Sequence, residues 1–196
     1  AKHRTDKTMH AADTSRYRRH VRFSHCACDG PRYGRPAGPL RPAAFLDRDG
    51  VVNVDFGYVR HVRDWHWIHG ARAGIEWLKT QGYWVIVVTN QSAIARGLAT
   101  EPQVLALHDW VLAHARVDAI YHCRHLPGDP CPARKPQPGM LQVAGQDFAI
   151  DWAHSFLLGD RDTDLEAAQN ANIPGLLSTG DDWRAQVRDY VSRRTS

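Results

Sequence analysis

The sequence predicts an α/β fold built on a parallel sheet, on three observations. From Ala43 onward, short apolar runs alternate with amphipathic stretches in a strict strand-then-helix order, the pattern of crossover units. The runs Phe45-Leu46 and Trp84-Val85-Ile86-Val87-Val88 are apolar without alternation, as expected of strands covered on both faces. A polar cluster comes directly after each run, where ligands sit in open parallel sheets.

Taken in order, Ala43 to Leu46 reads as the first strand and Ala71 to Gln81 as a helix ended by Gly82. Trp84 to Val88 is the second strand. Thr100 caps a helix over Glu101 to Arg116, with an acidic, proline-bearing first turn and Val104, Leu107 and Val111 on one face. Ala119 to His122 is a strand, Gly139 to Asp147 a helix, Ser155 to Leu158 a strand, Asp164 to Asn172 a helix and Gly175 to Leu177 a strand. No internal repeat or second folded domain is evident.

Charge divides the chain. Residues 1–40 carry nine Lys/Arg and three Asp, a net of +6, which leaves the remainder with 16 basic and 18 acidic residues, a net of −2. Their Arg, His and Ser content, and the run from Gly30 to Pro39, lack apolar periodicity, so residues 1–40 are expected to be a basic, disordered extension and 41–196 the folded domain. The extension invites a reading as an electrostatic arm for nucleic acid. A dispensable extension is preferred, and neither nucleic acid nor membrane is expected as a partner. The longest apolar run, Tyr83 to Val88, is far short of the roughly 20 residues that span a bilayer. Four cysteines do not make a disulfide scaffold in a chain of 196 residues, which suggests a reducing, cytoplasmic setting.

The chemistry lies at the strand ends. Asp47 and Asp49 are two apart after the first strand, so both carboxylates are expected on one side with Arg48 pointing away. Carboxylates this close repel unless a cation sits between them, which suggests Mg²⁺ or a shared proton. Asp160, at the end of a later strand, offers a third oxygen. Asp164 is expected to support it, and Asp162 simply to favour a helix start. Thr89 and Asn90 come after the second strand, and Lys135 lies in Arg134-Lys135-Pro136. A metal and a lysine to neutralise phosphoryl oxygens, with a hydroxyl to orient them, suit phosphoryl transfer.

These four stations, in this order, resemble the haloacid dehalogenase (HAD) superfamily of aspartyl phosphatases over about Ala43 to Leu177. The resemblance implies a Rossmann-like core in which Asp47 is the nucleophile, Asp49 the acid and base, and Thr89 and Lys135 the holders of the transferring group. It implies Mg²⁺ bound by the Asp47 carboxylate, the Asp49 carbonyl and Asp160. The segments Asn53 to Val59, Thr89 to Gly97 and Arg134 to Leu141 are similar to the D-glycero-D-manno-heptose 1,7-bisphosphate 7-phosphatases of heptose and lipopolysaccharide synthesis. Only 40 residues separate Asp49 from Thr89, too few for a large cap domain. Asp55, Phe56, Gly57, Tyr58, Asn90, Gln91, Ser92, Arg134 and Arg161 then match substrate-contacting positions, the two arginines suiting a second phosphate or sugar oxygens. A monomer acting on a small sugar phosphate is expected.

Cys123-Arg124-His125 and Cys131-Pro132-Ala133 resemble that family's zinc loop, but Ala133 stands where the fourth ligand belongs. Structural zinc normally takes four protein ligands, which leaves a weak, water-completed or absent site. His122 or Asp129 nearby, or Cys26 and Cys28 of the extension, are the candidate substitutes, the local residues being preferred. The short loop is also similar to histidinol-phosphate phosphatases, which makes histidinol phosphate the alternative substrate. Most of the twelve histidines are expected at the surface, and the tryptophans as packing anchors.

Overall fold

A computed structural model of the chain describes residues 23–33, 36–180 and 182–194. Six parallel strands form the main sheet in the order β1-β5-β4-β3-β7-β8. They are β1 (Phe23–Cys26), β3 (Ala43–Leu46), β4 (Trp84–Asn90), β5 (Ala119–Cys123), β7 (Phe156–Gly159) and β8 (Gly175–Leu177). A separate two-stranded pair joins β2 (Ala37–Arg41) to β6 (Phe148–Ile150). The helices are α1 (Ala71–Thr80), α2 (Glu101–His114), α3 (Gly139–Asp147), α4 (Asp162–Asn170) and α5 (Arg184–Ser192).

Because side chains alternate along a strand, β3 and β4 feed two cores. Ala44, Leu46, Val85 and Val87 pack with Ile75 and Leu78 of α1, Leu107 and Val111 of α2, and Val187 of α5. Phe45, Ile86 and Val88 pack on the other face with Met140, Leu141 and Ala144 of α3 and Ala168 of α4. At about 25 cal/mol per Å² of apolar surface, burying each large side chain of these strands stabilises the fold by roughly 1.5–3 kcal/mol, so a polar residue at Ile86 or Leu46 would break it.

Local signals act as expected at α2. The Thr100 hydroxyl accepts from the Gln103 amide and the Gln103 side chain accepts from the Thr100 amide, which closes a capping box. Tryptophans are indeed anchors: Trp183 is fully buried and donates to the Val51 carbonyl at 2.8 Å, while Trp65, Trp67 and Trp110 form one aromatic cluster. No helix of the described residues is long and apolar enough to cross a membrane.

The expected domain edge at residue 40 is corrected by β1 and β2. Phe23–Cys26 pairs in parallel with β5, and Phe23 stacks on Phe148 and meets the edge of Tyr121 in the second core. Asp147, fully buried, fixes the chain just past β1 by accepting from the amides of Arg32 and Tyr33 at 2.7 and 2.5 Å, and it accepts from the Tyr121 hydroxyl at 2.7 Å. Hydrogen bonds and one phenylalanine dock a segment whose composition promised no core. The part of the extension over residues 1–22 lies outside the described residues.

Candidate active site

Strand order reverses at β3: the chain runs outward through β4 and β5 on one side, then returns to β7 and β8 on the other. The crevice beyond the carboxyl ends of strands at such a switch is where an open sheet binds ligands. A cavity of about 830 Å³ opens there, lined by Asp47 and Asp49 after β3, Thr89 and Asn90 of β4, Lys135, and Arg161 before α4.

At its floor the Lys135 ammonium bridges two buried carboxylates, Asp47 Oδ1 at 2.6 Å and Asp164 Oδ1 at 2.5 Å, and donates to the Val88 carbonyl at 2.9 Å. Burial would pull the lysine's pKa down, but the two carboxylates raise it, so it stays a cation. Burial pushes Asp47 up to about 7 against the pull of Lys135. Asn90 positions the lysine: its side-chain amide donates to the Lys135 carbonyl at 3.0 Å and accepts from the Lys135 amide at 3.1 Å.

Asp49 occupies a different environment. Arg48 does not point away as the strand alternation suggested. The chain turns out of β3 at Gly50, and the buried Arg48 guanidinium swings back onto both Asp49 oxygens at 2.9 Å. Asn53 and Gln91 also donate to Asp49, each at 2.9 Å. Burial favours a neutral Asp49, but Arg48 and these donors prevail and hold its pKa below the ordinary carboxylate value. His108, expected among the exposed histidines, is fully buried instead; burial and then Arg48 hold its pKa well down, and its Nε2 accepts from Arg48 at 3.1 Å. Arg48 and His108 are residues beside the site that sequence reasoning missed: the chain's turn out of β3 brings Arg48 back to Asp49, and α2 carries His108 against it.

The acidic trio fits a divalent cation. Carboxylate oxygens of Asp47, Asp160 and Asp164 lie within 4.8 Å of one another. Asp160 Oδ1 is buried with no hydrogen-bond partner, an oxygen awaiting a ligand of another kind. Gly50 lies so close that a Cβ there would fall on Asp160 Oδ2. Asp164, expected only as support, is part of the trio, whereas the Asp49 carboxylate is taken by Arg48, Asn53 and Gln91.

Around the rim, Arg161 Nη2 donates to Asp55 Oδ2 at 2.7 Å and Arg134 Nη1 to the His125 carbonyl at 2.7 Å. Gly57, Tyr58, Gln91 and Ser92 also line the cavity. Gln91 Nε2 bridges Thr89 Oγ1 and Asp49 Oδ2, both at 2.9 Å. Phe56 does not line it: its ring is exposed and meets His66 edge-on. Arg96, from the loop after β4, does, and was not expected to. Beside the cavity, Cys123, His125 and Cys131 do converge, and the residue that joins them is Cys28, not His122 or Asp129.

Comparison with known proteins places this geometry. A family profile described as HAD-hydrolase-like matches residues 132–195. The D-glycero-beta-D-manno-heptose-1,7-bisphosphate 7-phosphatase of Rhodopseudomonas palustris is 41% identical over 167 residues, covering 79% of this chain and 93% of that one. The protein of the same name from Photorhabdus laumondii is 45% identical over 144 residues, 67% of this chain and 77% of its own. Among solved structures, the D,D-heptose 1,7-bisphosphate phosphatase of B. bronchiseptica, complexed with magnesium and phosphate, superposes with a TM-score of 0.66 at 35% identity, over 76% of this chain and 86% of that one. The chain belongs to the HAD superfamily of hydrolases, within the family of the D-glycero-D-manno-heptose 1,7-bisphosphate 7-phosphatases.

Proposed function

We propose that the protein is a Mg²⁺-dependent phosphatase that removes the 7-phosphate of D-glycero-D-manno-heptose 1,7-bisphosphate. The observation that carries this reading is the buried Asp47 carboxylate, facing a cavity between the Lys135 ammonium and the carboxylates of Asp160 and Asp164. The relatives' names supply the substrate, and they favour heptose over histidinol phosphate.

In the first step the Asp47 carboxylate attacks phosphorus, the bond from phosphorus to the sugar oxygen breaks, and Asp49 gives that oxygen a proton. In the second, water attacks the aspartyl-phosphate, Asp49 takes the water's proton, and Asp47 is restored as phosphate leaves. Free Asp49 is ionised because of Arg48, so its proton for the first step arrives when the anionic substrate raises its pKa. Asp47, Asp160 and Asp164, with the Asp49 carbonyl, would hold magnesium, which when bound would neutralise charge on the phosphoryl oxygens. Lys135 and Thr89 hold the transferring group. Arg134, Arg161 and Arg96 at the rim suit the second phosphate, and Asp55, Tyr58, Asn90 and Ser92 the sugar hydroxyls. The loop of Cys123, His125 and Cys131 is read as a structural zinc loop, and the free thiols suit a reducing, cytoplasmic setting. A monomer with no nucleic-acid partner completes the reading.

Phosphate release from the heptose bisphosphate tests it, with histidinol phosphate in parallel. A higher kcat/KM on histidinol phosphate, or full activity of Asp47→Asn, overturns it.

A further inference from the structure

The loop thiols have a neighbour that the chain supplies from 95 residues upstream of Cys123. After β1 a single helical turn, Ala27–Asp29, carries Cys28 over the end of β5. Its Sγ lies 3.7 Å from Cys123 Sγ, 3.6 Å from Cys131 Sγ and 3.3 Å from His125 Nδ1. Cys123 Sγ is in turn 3.6 Å from Cys131 Sγ and 3.7 Å from His125 Nδ1. No pair is close enough for a disulfide, whose sulfurs are about 2.05 Å apart. Tetrahedral zinc with ligands at about 2.1–2.3 Å has edges of roughly 3.4–3.8 Å; the four other separations fall in that range, and Cys28 to His125, at 3.3 Å, lies just below it.

We propose that one zinc ion is held by Cys28, Cys123, His125 and Cys131, so that the N-terminal strand closes the site left open by Ala133. The proposal rests on reading the loop as a zinc loop and goes further, because this ligand set ties two regions of the fold. Zinc binding, with loss of the three thiol protons to solvent, fastens β1 to the loop whose Cys131 and Arg134 face the cavity. A second link runs beside it: Arg124 Nη2 donates to Asp29 at 2.7 Å and Nη1 to Glu101 at 3.1 Å. The Arg134 guanidinium, bonded to the His125 carbonyl, is positioned through the metal.

The test uses the full chain, its zinc content after dialysis against a chelator series, and its absorption when cobalt replaces zinc. The wild type is expected to hold one zinc per chain. Cys28→Ala is expected to weaken zinc binding by at least about 100-fold, the upper range for losing merely an outer partner of a metal site. Its cobalt–thiolate absorption falls by a third, from three sulfurs to two. Adding Ala133→Cys to Cys28→Ala restores a fourth ligand within the loop, hence zinc binding, but leaves amide exchange over residues 23–33 as fast as in the single variant. Zinc held as tightly by Cys28→Ala as by the wild type, unchanged cobalt absorption, or a wild-type chain that takes up neither metal overturns the proposal. Phosphate release in Mg²⁺ by that same wild-type chain is read separately, so failure here is distinguishable from failure of the phosphatase reading.

Discussion

Lys135→Met removes the only cation in contact with two buried carboxylates at 2.6 and 2.5 Å, among the described residues. Breaking a buried ion pair by deleting one partner costs about 3–5 kcal/mol, because the remaining charge stays desolvated. For a chain of this size that lowers Tm by roughly 6–20 °C. The loss depends on pH with a definite sign. Asp47 in the folded wild type titrates at about 7, above its ordinary 3.8, and Lys135 pulls that value down. Without the ammonium it rises further. A carboxyl whose folded pKa exceeds its unfolded one gives stability that is complete below the unfolded value and lost as pH climbs through the folded one. The wild type therefore sheds this contribution between 3.8 and about 7, and the variant continues to shed it above 7. Thermal melts in chelator should show a large gap between variant and wild type at about pH 8 and a smaller one at about pH 5.5. Mg²⁺ should narrow the gap at the higher pH, since it binds the same carboxylates. An equal loss at both pH values, or none, would refute the bridged triad, and kcat/KM should fall by at least about 100-fold in either case.

The other substitutions probe separate parts of the cavity. Arg48→Gln removes the guanidinium that holds Asp49 down, so Asp49 keeps the proton the first step needs to higher pH and the alkaline limb of the kcat/KM profile should move up; an unmoved limb would show that Asp49 does not govern it. Gly50→Ala sets a methyl group against Asp160 at a φ of +88°, and should weaken Mg²⁺ binding measured by calorimetry more than it lowers substrate affinity. Arg161→Ala frees Asp55 and removes a rim cation; an increase in KM for the bisphosphate with no change for a monophosphate analogue would place the second phosphate there, and equal effects on both would not.

What could be read in the sequence was what is local. The ends of β3, β4 and β7 carry Asp47, Thr89 and Asp160 because a strand's last residue and the turn after it are adjacent in the chain, and the capping box from Thr100 to Gln103 spans four residues. What was missed depends on a chain reversal or a distant partner. Arg48 obeys the strand rule until the turn at Gly50 sends its guanidinium back to Asp49, and no periodicity encodes that. The last helix, α5, did leave a signal, Trp183, Val187 and Val191 at helical spacing, but among so many charged residues that no element is predicted after Leu177.

The edge at residue 40 failed for a reason that bears on the metal proposal. Seven of the nine basic residues before it precede Phe23, so the shift in composition falls near residue 22, and residues 23–40 carry only Arg32 and Arg35 against Asp29. A segment with one buried phenylalanine cannot hold itself by apolar area, at roughly 1.5–3 kcal/mol per large side chain. It docks because Asp147 takes two of its amides, because β5 takes its strand, and because its second cysteine ends among three metal-ligating atoms. Such polar and thiol contacts need few hydrophobic residues, so composition under-reads them. The Ala133 departure and the Cys28 placement therefore belong to one arrangement: a ligand missing from the loop is supplied by a segment whose apolar area alone would not hold it, which gives that segment a metal-dependent share of its stability that Cys28→Ala should remove.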